Sequence, residues 1–106
     1  MMRGDIYWVN LAPTKGSEIR KKRPCVILSA SPINKARRTV IVVPLSSATT
    51  VSPPITISVN CMNKQVIAVI DQIRTVDKTR VEGFIEPLPE HDLNQIEHAL
   101  RQVLVL

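Results

Sequence analysis

Aromatic side chains are scarce in this 106-residue chain, which has only Tyr7, Trp8 and Phe84. That argues against a binder that stacks base after base on an aromatic platform, so any nucleic acid held here is held by charge and hydrogen bonds. Histidine is as rare. His91 and His98 stand seven positions apart, which on a helix is two turns and roughly 10 Å. That is too far for one metal ion and unsuited to an acid–base pair, so both read as surface helix residues. Cys25 and Cys61 are widely separated and show no paired spacing, which points to neither a zinc site nor a secreted disulfide framework. Cys25, inside an apolar run, reads as a small buried hydrophobe. Glycine-rich phosphate cradles and nucleophile elbows are missing. No apolar run approaches the ~18 residues of a membrane span. The opening Met1-Met2-Arg3-Gly4-Asp5 has no apolar signal core, so the expected location is the cytoplasm.

Positive charge is abundant by contrast. The formal net charge is +5 and the isoelectric point about 9.7. Arg20 to Arg23 form one cationic cluster, Lys35, Arg37 and Arg38 a second, and Arg74, Lys78 and Arg80 a third. Such a field draws a polyanion or an acidic protein equally well, so charge by itself does not choose between RNA and protein.

The length allows one hydrophobic core, and residues 1–106 are expected to form a single domain. Strand-like runs fill the first three quarters: 6–11, 26–28, 39–45, 55–59, 66–70 and, more weakly, 81–85. Pro24 suits a strand start, and Pro44 implies an edge or bulge near the end of its strand. Turn residues gather at 12–16 and 46–54. The tail changes period. Pro89 sits where a first helical residue would, Glu90 and Asp92 occupy the first turn, and Leu93, Ile96, Leu100 and Val103 or Leu104 recur at helical spacing. The predicted fold is mainly β, with five to seven short strands coiled into a small barrel and a C-terminal helix closing or flanking it.

With histidine and metal chemistry set aside, the candidates are arginines, carboxylates and hydroxyls at strand ends. Arg23, fixed by Pro24, is placed to grip phosphate oxygens through two bonds at once, or else is the last solvated member of a basic run. Ser46 and Ser47 follow an apolar strand and serve either as turn residues or as donors to a phosphate oxygen. Glu18 lies in a loop with Lys22 and other cations, where it balances charge or accepts hydrogen bonds from a base edge. The stretch Asp71-Gln72-Ile73-Arg74-Thr75-Val76-Asp77 carries more polarity than a turn requires, and reads as a structural network or as the wall of a site.

Five blocks in order resemble the MazF/PemK toxin family: Arg3-Gly4-Asp5-Ile6-Tyr7, Gly16-Ser17-Glu18, Arg23-Pro24-Cys25-Val26-Ile27, Val42-Val43-Pro44-Leu45-Ser46-Ser47, and residues 71–77. The resemblance runs from residue 3 to the C-terminal helix. It implies an SH3-like β-barrel of the CcdB/PemK type with a C-terminal helix, paired as a homodimer, for which the apolar tail 103–106 offers a surface. It implies an endoribonuclease, an mRNA interferase cutting single-stranded RNA at a specific sequence without metal or other cofactor. The 2′-hydroxyl would attack, leaving a 2′,3′-cyclic phosphate and a 5′-hydroxyl. The implied partner is an antitoxin whose acidic tail covers the basic face.

By position, the resemblance makes Arg23 and Ser46 catalytic. Ser46 stands where many members have threonine, which keeps the hydroxyl and loses the methyl that restricts its rotamer. Ser17, Glu18, Lys22, Ser47, Asp71 and Gln72 are the implied substrate-binding residues. PemK-type members place an arginine two residues before their acidic residue, where this chain has Val69, so the MazF-type pair Arg23–Ser46 is the expected machinery. The loop also departs from the family pattern, with Ile19-Arg20-Lys21-Lys22 in place of small residues. Two other readings compete. One is a CcdB-like poison of DNA gyrase, which shares the fold. The other is an RNA-binding module without catalysis.

Overall fold

The computed structural model describes residues 1–13, 15–18, 21–48 and 50–106. Arg20 of the first cationic cluster and its neighbour Ile19 lie outside the described residues, as do Thr14 and Thr49 in the two turn clusters. The strands are β1 (Asp5–Asn10), β2 (Lys22–Ile27), β3 (Thr39–Ser46), β4 (Thr56–Cys61), β5 (Lys64–Val69), β6 (Arg74–Asp77) and β7 (Val81–Pro87). A short helix α1 (Ser31–Ala36) lies between β2 and β3, and α2 (Glu90–Leu104) ends the fold. Single 3₁₀ turns at Ile70–Gln72 and Lys78–Arg80 flank β6.

All seven strands join one antiparallel sheet in the order β4-β5-β3-β2-β1-β7, with β6 also on β3. Strand β3 makes this possible by changing partners along its length. Residues Thr39 to Val42 pair with β6, and Leu45 and Ser46 pair with β5. Pro44 falls between those two ladders, where its missing N–H costs no bond on that side. It is fully buried opposite Cys25, so the edge or bulge expected near Pro44 is this handover inside the sheet.

The curled sheet has apolar residues on both faces, which explains its near-continuous apolar runs. Val26, Leu28, Val43, Leu45, Val59, Ala68 and Ile70 line the larger core beneath α2, which contributes Ile96 and Ala99. The alternate residues Cys25, Ile27, Val40 and Val42 join Val9, Leu11 and Val76 in a smaller core on the opposite face. Helix α2 keeps the predicted apolar face, with Leu93, Leu100 and Val103 packed around buried Ile96. It begins one residue later than predicted, because Pro89 is its N-cap. Asp92 in the first turn is buried and accepts the Asn60 backbone N–H at 2.9 Å, which ties the helix to β4. Gly4 has a φ of +93°, and an added Cβ would stand 3.2 Å from Leu93 Cδ2, so glycine is required where β1 passes under α2.

Two elements were not foreseen. Strand β6 lies in the polar stretch 71–77, and α1 is a helix of six residues. Strand β2 also starts at Lys22 rather than Val26, which puts Arg23 and Pro24 inside the sheet.

Candidate active site

Arg23 is the second residue of β2 and pairs with Val9 of β1. Side chains alternate along a strand, so Arg23 shares its phase with Cys25 and Ile27, both buried in the smaller core. The guanidinium therefore stands at the rim of that core and is half-buried. Its Nε is shut off from solvent and meets no acceptor among the described residues. Cys25 faces Pro44 across β2 and β3. The β2–β3 ladder ends at that pair, and Arg23 and Ser46, the last residue of β3, each lie two residues beyond it. Ser46 is half-buried, and its Oγ accepts the Ala48 N–H at 3.2 Å. Accepting that bond leaves the hydroxyl its own proton to donate.

A cleft of about 200 Å³ is lined by Glu18, Asp71, Gln72, Ile73 and Arg74. It brings Glu18 to the turn after β5. The Glu18 carboxylate accepts the Lys15 N–H at 2.6 Å, an exposed bond that shapes the loop around it. Asp71 is exposed in the 3₁₀ turn. Arg74 Nη2 donates to Gln72 Oε1 at 3.2 Å. Arg74 pairs with Val42 and shares the phase of buried Val76, so it rises from the same face of the sheet as Arg23. The Cys25 thiol registers its approach. Burial pushes that thiol up to about 12, while the Arg74 charge pulls it the other way. Two guanidiniums thus flank the end of one small apolar core.

Glu18 of the basic loop meets Asp71, Gln72 and Arg74 of the polar stretch 71–77 in this one cleft. Arg74 and Val76 stand two apart and so share one strand face, a signal that one apolar side chain in β6 left too weak to read. The structure places other candidates elsewhere. Lys22 alternates away from Arg23 and pairs with Glu82 at 2.5 Å, in a separate cleft beside Trp8. Ser47 lines a neighbouring cleft of about 210 Å³ with Ser58 and Gln65 of β4 and β5. Ser17 is exposed on its loop, and Val69 ends β5 half-buried. His91 and His98 are both exposed on α2. Among the described residues, no three His, Cys, Asp or Glu side chains gather as a metal site.

The family model for PemK-like, MazF-like toxins of type II toxin–antitoxin systems matches residues 2–104. The chain belongs to this family. It is 30% identical over 105 residues to a protein named endoribonuclease MazF from Staphylococcus saprophyticus, covering 94% of this chain and 88% of that one. A second endoribonuclease MazF, from Staphylococcus epidermidis, is 31% identical over 103 residues, covering 92% and 86%. In fold it is similar to MazF from Deinococcus radiodurans, with a TM-score of 0.86 at 22% identity, covering 100% of this chain and 97% of that one. A mycobacterial endoribonuclease in complex with its cognate antitoxin superposes with a TM-score of 0.83 at 20% identity, covering 100% and 96%. These relatives do not favour the gyrase-poison or silent-binder readings.

For a toxin of this family, the chemistry available at the site follows from the donors. The guanidiniums of Arg23 and Arg74 and the hydroxyl of Ser46 are donors suited to an anionic phosphorus centre. Glu18 and Asp71 supply carboxylate acceptors, and Gln72 supplies an amide held by Arg74.

Proposed function

We propose that this chain is a sequence-specific endoribonuclease toxin that cuts single-stranded RNA. Its 2′-hydroxyl attack leaves a 2′,3′-cyclic phosphate and a 5′-hydroxyl. What supports this reading is the end of the β2–β3 ladder, where Arg23 and Ser46 each lie two residues beyond the Cys25–Pro44 pair, together with the cleft that Arg74 lines with Glu18, Asp71 and Gln72. Arg23 stabilises the charge of the pentacoordinate transition state. A guanidinium with a pKa above ~12 is a poor proton donor, so its work is electrostatic. Ser46 donates its hydroxyl proton to a phosphate oxygen. Glu18, Asp71 and Gln72 contact the substrate, and Ser17 and Ser47 extend that surface, while Lys22, on the other face against Glu82, stands apart from it. The nucleophile belongs to the substrate, so holding ribose and phosphate in line is most of the catalytic task. No metal or cofactor takes part.

The whole chain acts as one domain, in the cytoplasm, as a homodimer. Phe84, Leu104, Val105 and Leu106 leave 54%, 49%, 88% and 84% of their surfaces exposed, an apolar set suited to covering by a second copy. An antitoxin neutralises the protein, its acidic tail occupying the basic face; a structural relative is an endoribonuclease in complex with its cognate antitoxin. Incubation with mixed-sequence RNA and its all-DNA counterpart, in EDTA, tests the core of this reading. RNA-only cuts at one short motif are expected, because the attack needs a 2′-hydroxyl. Intact RNA from folded protein would refute it.

A further inference from the structure

The second and third cationic clusters are separate in sequence, yet the fold brings them together. The Lys78 backbone N–H donates to the Arg38 carbonyl at 2.8 Å, and Thr39 pairs with Asp77 at the same end of the β3–β6 ladder. Lys35 of α1 and Lys78 line one cleft of about 460 Å³. Arg37 precedes Arg38, and Arg80 closes the 3₁₀ turn that begins at Lys78, donating to the Asn10 carbonyl at 3.3 Å.

Five cations therefore share one end of the molecule, and among the described residues none of them forms an ion pair. The carboxylate in their midst is Asp77. It is already engaged by the Thr79 N–H at 2.9 Å and hydroxyl at 2.8 Å, bonds that hold it below the usual carboxylate range, with Arg38 and Arg80 adding to the effect.

We propose that this patch is a second RNA-binding surface, one that holds the phosphate backbone of nucleotides outside the cleavage cleft; it rests on the endoribonuclease reading above. Three of the five cations are arginines, whose planar forks match phosphate oxygens. Position favours RNA over an acidic protein. The patch lies on the same ladder as Arg74, and the four strand steps from Arg74 to Lys78 at ~3.3 Å each span about 13 Å. A strand threaded through the cleft reaches the patch within a few nucleotides. Backbone contacts of this kind carry no sequence information, so they raise the affinity for long RNA without changing the motif that is cut.

The test compares two RNAs carrying the same cut motif, one barely longer than the motif and one with tens of unstructured nucleotides on each side. The triple variant Lys35→Gln/Arg37→Gln/Arg38→Gln changes exposed side chains that make no hydrogen bonds among the described residues. The single variant Lys78→Gln removes a charge from the opposite wall of the cleft, and thermal melting checks that both remain folded. The expected result for the triple variant is a roughly tenfold rise in KM for the long RNA, with kcat and the short RNA nearly unchanged. Binding of an uncleavable long RNA, 2′-deoxy at the cut site, should lose about 0.7 from its log–log salt slope for each phosphate contact removed. Unchanged long-RNA cleavage and an unchanged slope would overturn the proposal. So would a variant that loses polyglutamate binding alone, which would give the patch to an acidic protein. If the wild type cuts neither RNA, the endoribonuclease reading fails, and the salt slopes still decide the binding surface.

Discussion

Replacing Arg23 by methionine should separate activity from stability. Arg23 Nε is buried and meets no acceptor among the described residues, and an unsatisfied buried donor costs about 1–3 kcal/mol. Methionine fills most of the volume of the arginine stem, carries no N–H, and adapts to the rim of the smaller core. The variant should therefore fold at least as stably as the wild type, gaining up to about 1–3 kcal/mol. At ~4–8 °C per kcal/mol for a domain of this size, that gain is readable in a thermal melt. Cleavage should move the other way. Removing a donor aimed at developing negative charge costs about 10²–10³ in kcat, whereas Arg23→Lys, which keeps the charge and loses the fork, should fall between. Single-turnover cleavage and melting of the same samples make the comparison. A variant that loses Tm in step with activity would make Arg23 a structural residue. One that cuts within about threefold of wild type would remove it from the transition state.

Arg74→Gln breaks the bond to Gln72 and removes the second guanidinium, so kcat/KM should fall about tenfold to a hundredfold with the melting temperature nearly unchanged; equal cleavage would refute a role for Arg74. The buried Cys25 thiol should resist alkylation in the folded protein at pH 8, reacting only as fast as the chain opens. Because its folded value, about 12, lies above the ordinary 9.0, the stability it contributes is fully present below pH 9 and lost as pH rises toward 12. A pH series of melts checks the sign. Met62 and Asn63 join β4 to β5 with φ of 52° and 59°, the left-handed pair of a tight hairpin turn. Met62→Asn/Asn63→Gly should stabilise the fold by about 1 kcal/mol, raising the urea midpoint with an unchanged m-value.

Local pattern was enough to forecast most of the fold. The runs 39–45 and 66–70 are rich in β-branched residues, and they form β3 and β5 within a residue or two. The period of Leu93, Ile96, Leu100 and Val103 forecast α2. The four residues of β6 were not legible, since Arg74-Thr75-Val76-Asp77 holds one apolar side chain and becomes a strand only because β3 offers an open edge there. Helix α1 was hidden for a similar reason. Its buried residue is Asn34, whose amide donates to the Ser29 and Met1 carbonyls at 2.9 and 3.2 Å, a tertiary network with no apolar signature.

The site divides along the same line. The sequence by itself determined which side chains are available: an arginine locked before proline, a hydroxyl at the end of an apolar run, a glutamate in a basic loop, and the polar stretch 71–77. Those choices follow from residue chemistry and short-range order. Only the tertiary structure decided which of them meet. Strand phase sends Arg23 to the rim of the smaller core and Lys22 to the other face, against Glu82. The partner change of β3 around Pro44 sets Arg74 of β6 beside Val42 and Ser46 beside β5. Which face a side chain occupies, and which strand lies beside it, are set by pairing between segments distant in sequence, and the one-dimensional pattern does not encode that pairing.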